Sequence, residues 1–557
     1  MRSSGTRRES RRLVSAAVAA AVLAVAVVVA GGGYLLLRTR GSPRQTAASY
    51  LLGWQQGSYA AMDKISVNVP PAGLAGPLSQ AAGQLGIRHI RLLLRRVTAS
   101  GASARAHFTA IADLASGHTW TYQGQLRLVR HDRRWRVRWS PAAIYPGLRA
   151  GERFVLTAAW PARAPVLAAD GSVLSSRRAI AESGSVSLLT GNVVAATAAQ
   201  ARALGAPYEA GDQIGQGGIE QAYQDQLAGS PALTIRIEGP GRRVDATAAR
   251  FAAAAGTPVR TSIEMRYQLA ASKAVKSATT ARPVDIVAIE PSAGRVLAVV
   301  ERPGGFDRAL EGEFPPGSTF KVVTAAALAK AGMRPASTVQ CPSQVTLGGT
   351  TFHNDNNEQY GRTSLQTAFA VSCNTTFALL GTQRLTGPAL RSAAEMFGFN
   401  TQPALGVPGA LGRFMTPHQT ADLAADAFGQ GTDLVNPLSQ AAAVAAVEDG
   451  SWRPPQLVTS PAPRGAARPR ALPPAILDTL RPMMHAVVTS GTAAGVGLPA
   501  GTYGKTGTAQ YGSGPNPPSH AWFVGYRGDL AFAVLVEGGG TGASTAGPIA
   551  SAFLRGL

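Results

Sequence analysis

A 25-residue run without a charged side chain, Leu13 to Leu37, is the feature that most restricts how this chain can fold. A run of this length can cross a lipid bilayer as one helix with some tilt. It follows a 12-residue tail that holds five arginines and one glutamate. This arginine-rich start predicts a cytoplasmic tail over 1–12, a single transmembrane anchor over 13–37 and an extracytoplasmic remainder. A cleaved signal peptide is the alternative, because the run contains Ala-x-Ala triplets.

The charge balance is strongly basic, with 53 Lys and Arg against 31 Asp and Glu and a formal net charge of +22. Such a balance suits a nucleic-acid partner, but the sequence contains no nucleic-acid-binding motif with interleaved aromatic residues. The arginines are spread through a chain rich in Ala, Gly and Pro, and a basic exterior also suits an anionic membrane or cell wall. We therefore predict no nucleic-acid partner.

The cysteines exclude two further classes of protein. The chain has two, Cys341 and Cys373, which form neither a disulfide framework nor a zinc-binding spacing. We expect no metal site. The sequence leaves open whether the two cysteines form a single bridge.

Three segments follow the anchor and predict an α+β multidomain fold. In the first, 45–148, helical periodicity over 45–63 precedes partly alternating strand patterns, with a hairpin turn expected at His131–Asp132. We expect helices packed on a curved antiparallel sheet and no catalytic group. Three tryptophans are predicted to belong to the core of this domain rather than to a ligand site: Trp120, Trp135 and Trp139.

The second segment, 149–275, has a mixed pattern. It contains a turn signal at Asp170–Gly171 between two apolar runs and a helix that should end before Gly229. No residue pattern in it carries chemistry. We predict a linking or pedestal module of the dimerisation type.

The third segment, 276–557, is more regular. A β-hairpin with its turn at Pro291–Gly294 begins it, Ala-rich helices follow, and three strand patterns and a final helix end the chain. Strands at both ends of a helical middle predict an antiparallel sheet that both ends of the segment complete, with helices packed on it.

A serine and a lysine three residues apart begin the first Ala-rich helix of this segment. In "PPGSTFKVV", Ser318 and Lys321 would share one face of the first turn. The alternative is that Ser318 only caps the helix, because serine commonly fills that position. Taken alone, Ser-x-x-Lys does not decide between these interpretations.

Two further motifs follow in order. "VSCNT" places Ser372 and Asn374 on either side of Cys373, in an otherwise apolar helical context. "YGKTGTAQ" is a predicted strand, and Lys505, Thr506 and Gly507 lie near its start. A local backbone cap and an exposed basic strand are the structural alternatives. The ordered trio Ser-x-x-Lys, Ser-x-Asn and Lys-Thr-Gly is a much stronger signal than any one of its members.

With these motifs the sequence resembles the penicillin-binding transpeptidases. "RALEGEFPPGSTFK" is similar to their active-site serine block, and "FGQGTDLVNPLSQAAAVAAVEDG", 428–450, is similar to the segment between their second and third motifs. The resemblance is to class B members, because no glycosyltransferase domain precedes these segments. The first segment, which ends in "IYPGL", is similar to the cone-shaped extension of the methicillin-resistance type.

The resemblance implies a role for each motif residue. Ser318 would be the nucleophile and Lys321 its base, if burial and the nearby charge of Lys505 lower the pKa of Lys321. Ser372 would relay a proton to the leaving amine. The substrate-binding residues would be Asn374 for a peptide carbonyl, Lys505, Thr506 and Thr508 for the terminal carboxylate, and Gly507, whose missing side chain would leave room along the strand edge. The backbone N–H groups of Ser318 and Thr508 would form the oxyanion hole.

The implied reaction is acyl transfer without cofactor or metal. Ser318 would attack the D-Ala-D-Ala bond of a peptidoglycan stem peptide, release D-Ala and pass the acyl group to an amine of a neighbouring stem. β-Lactams would acylate the same serine. A membrane glycosyltransferase would be a partner. The thiol of Cys373 in the second motif, a residue that several members share in place of aspartate, would be redox-sensitive.

Rival functions use the same serine. A D,D-carboxypeptidase would transfer the acyl group to water, and a β-lactamase would hydrolyse the drug. "EMFGFN", Glu395 to Asn400, resembles the Glu-x-x-x-Asn element of class A β-lactamases but has one residue too many, so we predict a helix end there. A non-enzymatic β-lactam sensor would carry several spans, and a scaffold would have lost a motif residue.

Overall fold

The computed structural model describes residues 41–303, 307–514 and 517–557. These residues form two compact units, and the chain contributes to them alternately. The described part of the first unit comprises 41–161, 196–212 and 229–255, and the second unit comprises 162–195, 213–228 and 256–557. Both units combine helices with β-sheet, as the predicted α+β class requires.

The described residues contain the following regular elements. The helices are α1 (Pro43–Gln55), α2 (Tyr59–Lys64), α3 (Ala75–Leu85), α4 (Arg177–Glu182), α5 (Val186–Thr190), α6 (Ala198–Leu204), α7 (Gly218–Ala222), α8 (Gln224–Ala228), α9 (Met265–Ser277), α10 (Arg308–Glu311), α11 (Lys321–Lys330), α12 (Leu365–Ala370), α13 (Asn374–Arg384), α14 (Gly387–Met396), α15 (Thr420–Asp426), α16 (Pro437–Asp449), α17 (Pro474–Thr489) and α18 (Gly547–Arg555). Short 3₁₀ turns span Pro141–Ala143, Pro240–Arg242, Gly317–Phe320 and Asp355–Asn357, and a π-helical turn spans Gly542–Ala546.

The strands are β1 (Ser66–Val67), β2 (Ile87–Ser100), β3 (Ser103–Leu114), β4 (Thr119–His131), β5 (Arg134–Arg138), β6 (Arg153–Ala159), β7 (Val166–Leu167), β8 (Asn192–Ala195), β9 (Gln213–Gln216), β10 (Ala232–Glu238), β11 (Val244–Phe251), β12 (Val259–Thr261), β13 (Val284–Glu290), β14 (Arg295–Arg302), β15 (Thr338–Cys341), β16 (Gln344–Leu347), β17 (Thr350–His353), β18 (Gly361–Ser364), β19 (Ser451–Trp452), β20 (Val458–Ser460), β21 (Arg470–Ala471), β22 (Tyr503–Gln510), β23 (Ser519–Tyr526) and β24 (Ala531–Val536).

Within the described ranges, no helix combines the length and the apolar character that a membrane crossing requires. The predicted tail over 1–12 and the predicted anchor over 13–37 lie outside the described residues.

The first unit contains a five-stranded sheet with the strand order β1-β5-β4-β3-β2. Its strands pair antiparallel, except that β1 runs parallel to β5. Helix α1 packs on β2 and β5, so helices lie on a mainly antiparallel sheet, as the sequence predicted. Trp120 and Trp139 are buried in the core of this unit and Trp135 packs half-buried against it.

Local sequence signals explain where the elements of this unit begin and turn. The side chain of Ser42 caps the first turn of α1. The single helix predicted over 45–63 is interrupted at Gly57, whose φ of 67° ends α1 and allows α2 to start in a new direction. The hairpin between β4 and β5 turns at Asp132 and Arg133, one residue later than predicted. Their φ values of 48° and 61° are typical of a tight type I′ turn.

Gly124 of β4 lies directly opposite Phe108 of β3. A β carbon at Gly124 would lie 2.1 Å from the fully buried Phe108 ring. We therefore expect Gly124→Ala to destabilise the first unit by about 1–3 kcal/mol, as overpacking of a core typically does.

The matched control for Gly124→Ala is Gly83→Ala in α3. A β carbon at Gly83 would meet nothing within 4 Å, so alanine should stabilise the helix by roughly 0.5–1 kcal/mol. Urea unfolding followed by tryptophan fluorescence measures both variants, because five of the 7 tryptophans belong to this unit. Equal stability of the two variants would contradict the packing argument.

The middle segment, 149–275, is divided between the two units. Strands β6, β10 and β11 form a three-stranded sheet of the first unit, whereas β7, β8, β9 and β12 belong to the second. The turn predicted at Asp170–Gly171 is present, with a φ of 85° at Gly171. The helix predicted to end before Gly229 is two short helices, α7 and α8. A separate pedestal module over 149–275 stays a prediction.

The second unit is built on a five-stranded sheet with the order β14-β13-β24-β23-β22. All neighbouring strands pair antiparallel, so the first hairpin and the last three strands of the segment complete one sheet, as predicted. The hairpin turn lies at 291–294, between β13 and β14. Strand β22 is an edge strand of this sheet.

Helices cover both faces of this sheet. All six residues of β24 are buried, and successive side chains of a strand point to opposite faces. Helices α9, α16 and α18 pack against its strands. The edge strand β22 contacts the 3₁₀ turn Gly317–Phe320, which holds the first predicted motif.

Candidate active site

The structure brings the three predicted motifs together at the β22 edge. Ser318 and Lys321 come from the start of α11, Ser372 and Asn374 from the junction of α12 and α13, and Lys505 from β22. Their side chains form one connected chain of contacts, although Ser372 and Lys505 are 133 residues apart in sequence.

Ser318 lies within the 3₁₀ turn Gly317–Phe320, directly before α11, and the residues at the cap positions of that turn and of α11 are Pro316 and Phe320. The Oγ of Ser318 lies 2.9 Å from Nζ of Lys321, one turn later. The alternative reading of Ser318 as a helix cap is therefore wrong. Its backbone N–H belongs to the first turn, where N–H groups have no partner within the helix.

Close backbone contacts hold this turn in place. Gly317 has a φ of 54° and donates its N–H to the carbonyl oxygen of Gly429 at 2.9 Å. A β carbon at Gly317 would lie 2.5 Å from the carbonyl oxygen of Thr508, and one at Gly429 would lie 2.0 Å from that of Gly317. Both glycines are needed because backbone, not side chains, fills these positions.

The Lys321 side chain is fully buried and surrounded by oxygen atoms. Its Nζ lies 2.7 Å from the carbonyl oxygen of Ser372, 2.6 Å from Oδ1 of Asn374, 2.9 Å from Oγ of Ser318 and 3.2 Å from Oγ of Ser372. The two carbonyl oxygens can only accept hydrogen bonds. They therefore require two N–H donors from the lysine.

The protonation state of Lys321 follows from its surroundings. Burial, and next the positive charge of Lys505, hold the pKa of Lys321 well below its ordinary value. A neutral amine has two N–H groups and one lone pair. With these two N–H groups on Ser372 and Asn374, the lone pair of a neutral Lys321 would face the Ser318 oxygen.

The second motif forms a turn rather than part of a helix. The sequence predicted a continuous helical context, but Ser372 follows α12 with a φ of 65°, and α13 begins at Asn374. The positive φ lets one short turn aim both the carbonyl and the hydroxyl oxygen of Ser372 at Lys321. A backbone conformation of this kind cannot be read from apolar periodicity.

Cys373, the middle residue of the second motif, forms a disulfide with Cys341 of β15. Both residues are buried. The expected redox-sensitive free thiol at Cys373 is therefore wrong for this structure, in which the sulfur is already bonded. The Cys373 sulfur also accepts the N–H of Thr376, which caps α13.

A loop inside the disulfide is also tied to the second motif. The side chain of Asn354 accepts the N–H of Thr375 at 3.0 Å and donates to the carbonyl oxygens of Pro342 and Glu358, each at 2.8 Å. Asn374 donates to the carbonyl oxygen of His353 at 3.3 Å. The sequence reasoning did not find Asn354, because nothing in its local sequence marks a contact 21 residues away.

Lys505 is the cation of the third motif, and its side chain is fully buried. Its Nζ donates to Oγ of Ser372 and to the carbonyl oxygen of Thr506, both at 2.9 Å. Burial lowers the pKa of Lys505 to about 7. The carboxylate of Asp355 opposes this shift for Lys505 and for Lys321. Asp355 is therefore an acidic neighbour of the site that the sequence reasoning missed.

The backbone of Thr508 faces the site. Its carbonyl oxygen accepts a hydrogen bond from the side chain of Gln430 at 3.1 Å, on the side of β22 away from β23. In an antiparallel strand the N–H and C=O of one residue point to the same side. The Thr508 N–H therefore also points away from β23, towards the turn that holds Ser318.

Thr506 and Gly507 differ in what they contact. The Thr506 hydroxyl is hydrogen-bonded to that of Thr492 at 2.6 Å, a partner that the sequence reasoning did not identify. A β carbon at Gly507 would lie 2.8 Å from the side chain of Thr319 and 3.0 Å from Cβ of Trp522. The space that Gly507 leaves is thus filled by the 3₁₀ turn Gly317–Phe320 and by β23.

The β-lactamase-like element, 395–400, begins in the last turn of α14 and continues past the end of that helix. Glu395 forms an ion pair with Arg391 at 2.8 Å, and Asn400 donates to the carbonyl oxygen of Phe414 at 3.0 Å. Glu395 is one residue from the end of α14, as the predicted helix end requires. Among the described residues, its carboxylate has no contact with Ser318 or with the two buried lysines.

Comparisons with known families agree with this geometry. Residues 285–555 match the model of the penicillin binding protein transpeptidase domain. Residues 42–152 match the NTF2-like N-terminal transpeptidase domain, and residues 172–261 match the penicillin-binding protein dimerisation domain.

Two curated relatives are described as the peptidoglycan D,D-transpeptidase PbpA. The chain is 32% identical over 328 residues to that of Mycolicibacterium smegmatis, a match that covers 48% of this chain and 66% of the relative. It is 29% identical over 342 residues to that of Mycobacterium tuberculosis H37Rv, with the same two coverages of 48% and 66%. The match therefore spans slightly less than two thirds of the relatives' length.

Two solved structures are similar to this one. Pseudomonas aeruginosa PBP2 in complex with WCK 5153 is 26% identical with a TM-score of 0.60, covering 72% of this chain and 96% of that one. The ceftriaxone acyl-enzyme complex of M. tuberculosis penicillin-binding protein A is 27% identical with a TM-score of 0.50, covering 55% and 81%.

The fold and the site define a penicillin-binding protein transpeptidase domain, in which the buried Lys321 contacts Ser318 at the edge of an antiparallel sheet. With its matches to an NTF2-like N-terminal domain and a dimerisation domain beside the transpeptidase domain, the chain is similar to the class B penicillin-binding proteins. The resemblance predicted from the three motifs and from the N-terminal extension is confirmed.

Proposed function

We propose that the chain is a peptidoglycan D,D-transpeptidase that cross-links stem peptides through an acyl-enzyme on Ser318. The observation that carries this proposal is the arrangement around Lys321. Its Nζ lies 2.9 Å from the nucleophile oxygen while two carbonyl oxygens take its N–H groups. A lysine held in this way is a base before substrate arrives.

Acylation follows from this arrangement. The Ser318 hydroxyl gives its proton to Lys321 while its oxygen attacks the carbonyl carbon of the D-Ala-D-Ala bond. The N–H groups of Ser318 and Thr508 hold the negative oxygen of the tetrahedral intermediate. When the C–N bond breaks, the leaving amine takes a proton relayed through Ser372, and D-Ala departs.

The third motif positions the substrate. The Lys505 ammonium, with the hydroxyls of Thr506 and Thr508, would hold the terminal carboxylate, because cations and hydroxyls are its usual partners. Asn374 has its Oδ1 committed to Lys321 and one amide N–H donated to His353, so its other amide N–H would bind a peptide carbonyl of the stem. In the second half-reaction, an amine of a neighbouring stem attacks the acyl carbonyl and restores the Ser318 hydroxyl.

Labelling with a fluorescent penicillin tests this proposal, because a β-lactam would acylate the same serine. We expect covalent label on the chain from Gly41 onward that persists for hours. Ser318→Ala should give none, whereas Ser172→Ala, at an exposed serine of the same unit, should label normally. Label that disappears within minutes with release of hydrolysed drug would indicate a β-lactamase instead.

A cross-linking assay separates the remaining alternatives. With a stem-peptide substrate, a transpeptidase transfers the acyl group to an added amine, and a D,D-carboxypeptidase releases the free acid even at high amine concentration. A chain that labels with penicillin but forms neither the cross-linked product nor the free acid would be a sensor.

The pH dependence of acylation follows from the two lysines. Lys321 must be neutral to take a proton, and Lys505 must be charged to hold the carboxylate. Because the pKa of Lys505 is lowered to about 7, we expect the second-order rate constant of acylation to fall as pH rises through this value. This rate constant reports the pKa of the free enzyme. Labelling rates measured at constant ionic strength between pH 5 and pH 9, limits chosen about two units on either side of the pKa, therefore test the prediction. A rate that keeps rising to the upper limit would contradict a charged Lys505.

The cellular setting is a further part of the proposal. Leu13–Leu37 would anchor the chain with a cytoplasmic tail and an extracytoplasmic catalytic domain, and a disulfide beside the site suits an oxidising compartment. A membrane glycosyltransferase would supply the glycan strands. A penicillin carrying a membrane-impermeant dye should label the full chain in intact spheroplasts. Labelling that occurs only after lysis of the spheroplasts would show that the catalytic domain lies on the cytoplasmic side.

A further inference from the structure

A cavity of about 340 Å³ opens in the first unit, outside every residue used so far for catalysis. It lies between the helices and the sheet, where the end of α1, the end of α3 and the start of β2 meet. Its volume falls at the lower end of roughly 300–1,000 Å³, the range of small-molecule sites.

Aromatic rings form much of its wall. Trp54, Trp120, Tyr122 and Phe154 line it, and the Trp120 ring packs 4.4 Å from Tyr122 and 5.9 Å from Phe154. Such rings present rigid apolar faces on which a flat ligand can stack.

Two hydrogen-bond donors of this wall have no acceptor. Trp54 is 9% exposed and Trp120 is 4% exposed, and no hydrogen bond joins either indole N–H to another described residue. Neither nitrogen is among the fully buried side-chain atoms that lack a partner, so both N–H groups reach open space rather than a protein acceptor. The Tyr122 hydroxyl is different, because it already donates to the carbonyl oxygen of Ile144 at 2.9 Å.

The rim of the cavity is basic. Arg88 and His89 line its mouth and are exposed, together with the uncharged Gln55 and Gln56. None of the residues around the cavity, all of which are described, is an aspartate or a glutamate. The site therefore offers an apolar interior, unpaired donors and a positive charge at the entrance.

From these features we propose that the cavity of the first unit binds a small aromatic anion, a molecule with a flat apolar body and one carboxylate or sulfonate group. The apolar body would lie against the aromatic wall, and the anionic group would reach Arg88. The indole N–H groups would find acceptor atoms on the ligand. This site is independent of the proposed acyl transfer.

Fluorescence titration with 8-anilinonaphthalene-1-sulfonate tests the proposal on the chain from Gly41 onward. The catalytic serine is first acylated with benzylpenicillin, so that an anion cannot bind at Lys505. We expect one saturable site, with energy transfer from tryptophan. N-phenyl-1-naphthylamine, the same body without the sulfonate, should bind about tenfold more weakly or worse.

Two variants and one matched control locate the site. Ala81→Leu fills the cavity from α3, and Arg88→Ala removes the rim charge without disturbing the core. Each should weaken binding by about tenfold or more. Arg91→Ala, at an exposed arginine of the same strand outside the cavity, should leave binding unchanged. Urea unfolding shows whether Ala81→Leu is folded, and Arg88→Ala carries the test if it is not.

Three results would overturn the proposal. One is the absence of a saturable site in the acylated protein. Another is equal affinity for the sulfonate and for its uncharged analogue. The third is a loss of binding in Arg91→Ala that matches the loss in Arg88→Ala.

Discussion

Lys321→Met is expected to slow acylation of Ser318 by penicillin by about 10³-fold or more, at the upper end of what a positioned base contributes. Methionine keeps the length of the side chain and removes the amine. The Ser318 hydroxyl then has no acceptor for its proton, and the carbonyl oxygens of Ser372 and Asn374 lose their donor. Stopped-flow or timed labelling measures the rate constant.

The matched control for Lys321→Met is Lys330→Met. Lys330 ends the same helix, α11, and is exposed, so its replacement should leave the rate within about twofold of the parent. A Lys321→Met protein that acylates as fast as Lys330→Met would remove Lys321 from the role of base. Thermal unfolding of both variants shows whether a slow rate reflects the site or a loss of fold.

Loss of the Cys341–Cys373 disulfide is expected to affect both stability and rate. The bridge closes a loop with a sequence separation of 32, for which the chain-entropy estimate is about 3–4 kcal/mol of unfolding free energy. Cys341→Ser removes the bridge and leaves the Cys373 sulfur available to cap α13. Urea unfolding of the second unit, followed by circular dichroism, measures the change in stability.

The effect on rate follows from where the bridge ends. Cys373 lies between Ser372 and Asn374, the two residues that hold Lys321, so its release would let both move. We expect Cys341→Ser to acylate more slowly by on the order of 10- to 100-fold, the penalty typical of a displacement near 1 Å at a reacting group. The measurement is made well below the unfolding transition.

Reductant provides the control for this second prediction. The parent treated with reductant should approach the rate of Cys341→Ser, and the variant should not respond to reductant. A less stable variant that acylates at the parental rate would show that the bridge supports the fold alone. A parent that titrates with two free thiols would show that the bridge does not form.

The sequence predicted which residues meet at the site better than it predicted how they are held there. Ser318, Lys321, Ser372 and Lys505 belong to short motifs, and a motif records which groups must meet. The residues that hold these groups in place belong to no such motif. Gln430 lies 78 residues from Thr508, which it contacts, and only the folded backbone brings the two together.

The same limit explains the errors about local structure. Apolar periodicity around Ser372 predicted a helix, because periodicity carries no signal for one residue with positive φ between two helices. The Cys341–Cys373 pair stayed open because spacing alone does not give the distance between two cysteines. The sheet of the second unit was predictable, since each strand carries its own pattern and both ends of the segment were expected to complete one sheet. Strands β13 and β14, and β22 to β24, pair as sequence neighbours, and the β13–β24 pairing joins the two groups.

One sheet of the second unit joins strands that are far apart in sequence, which has a consequence for the time at which it can form. Strand β7 ends at Leu167, but its three-stranded sheet also needs β12 and β20, and β20 begins at Val458. At about 5–20 residues per second, roughly 15–60 seconds of synthesis separate these two strands. Val166, fully buried in the finished protein, spends that interval without its complete sheet. The sheet that buries Val166 can therefore be completed only late in synthesis, after its last strand has been made.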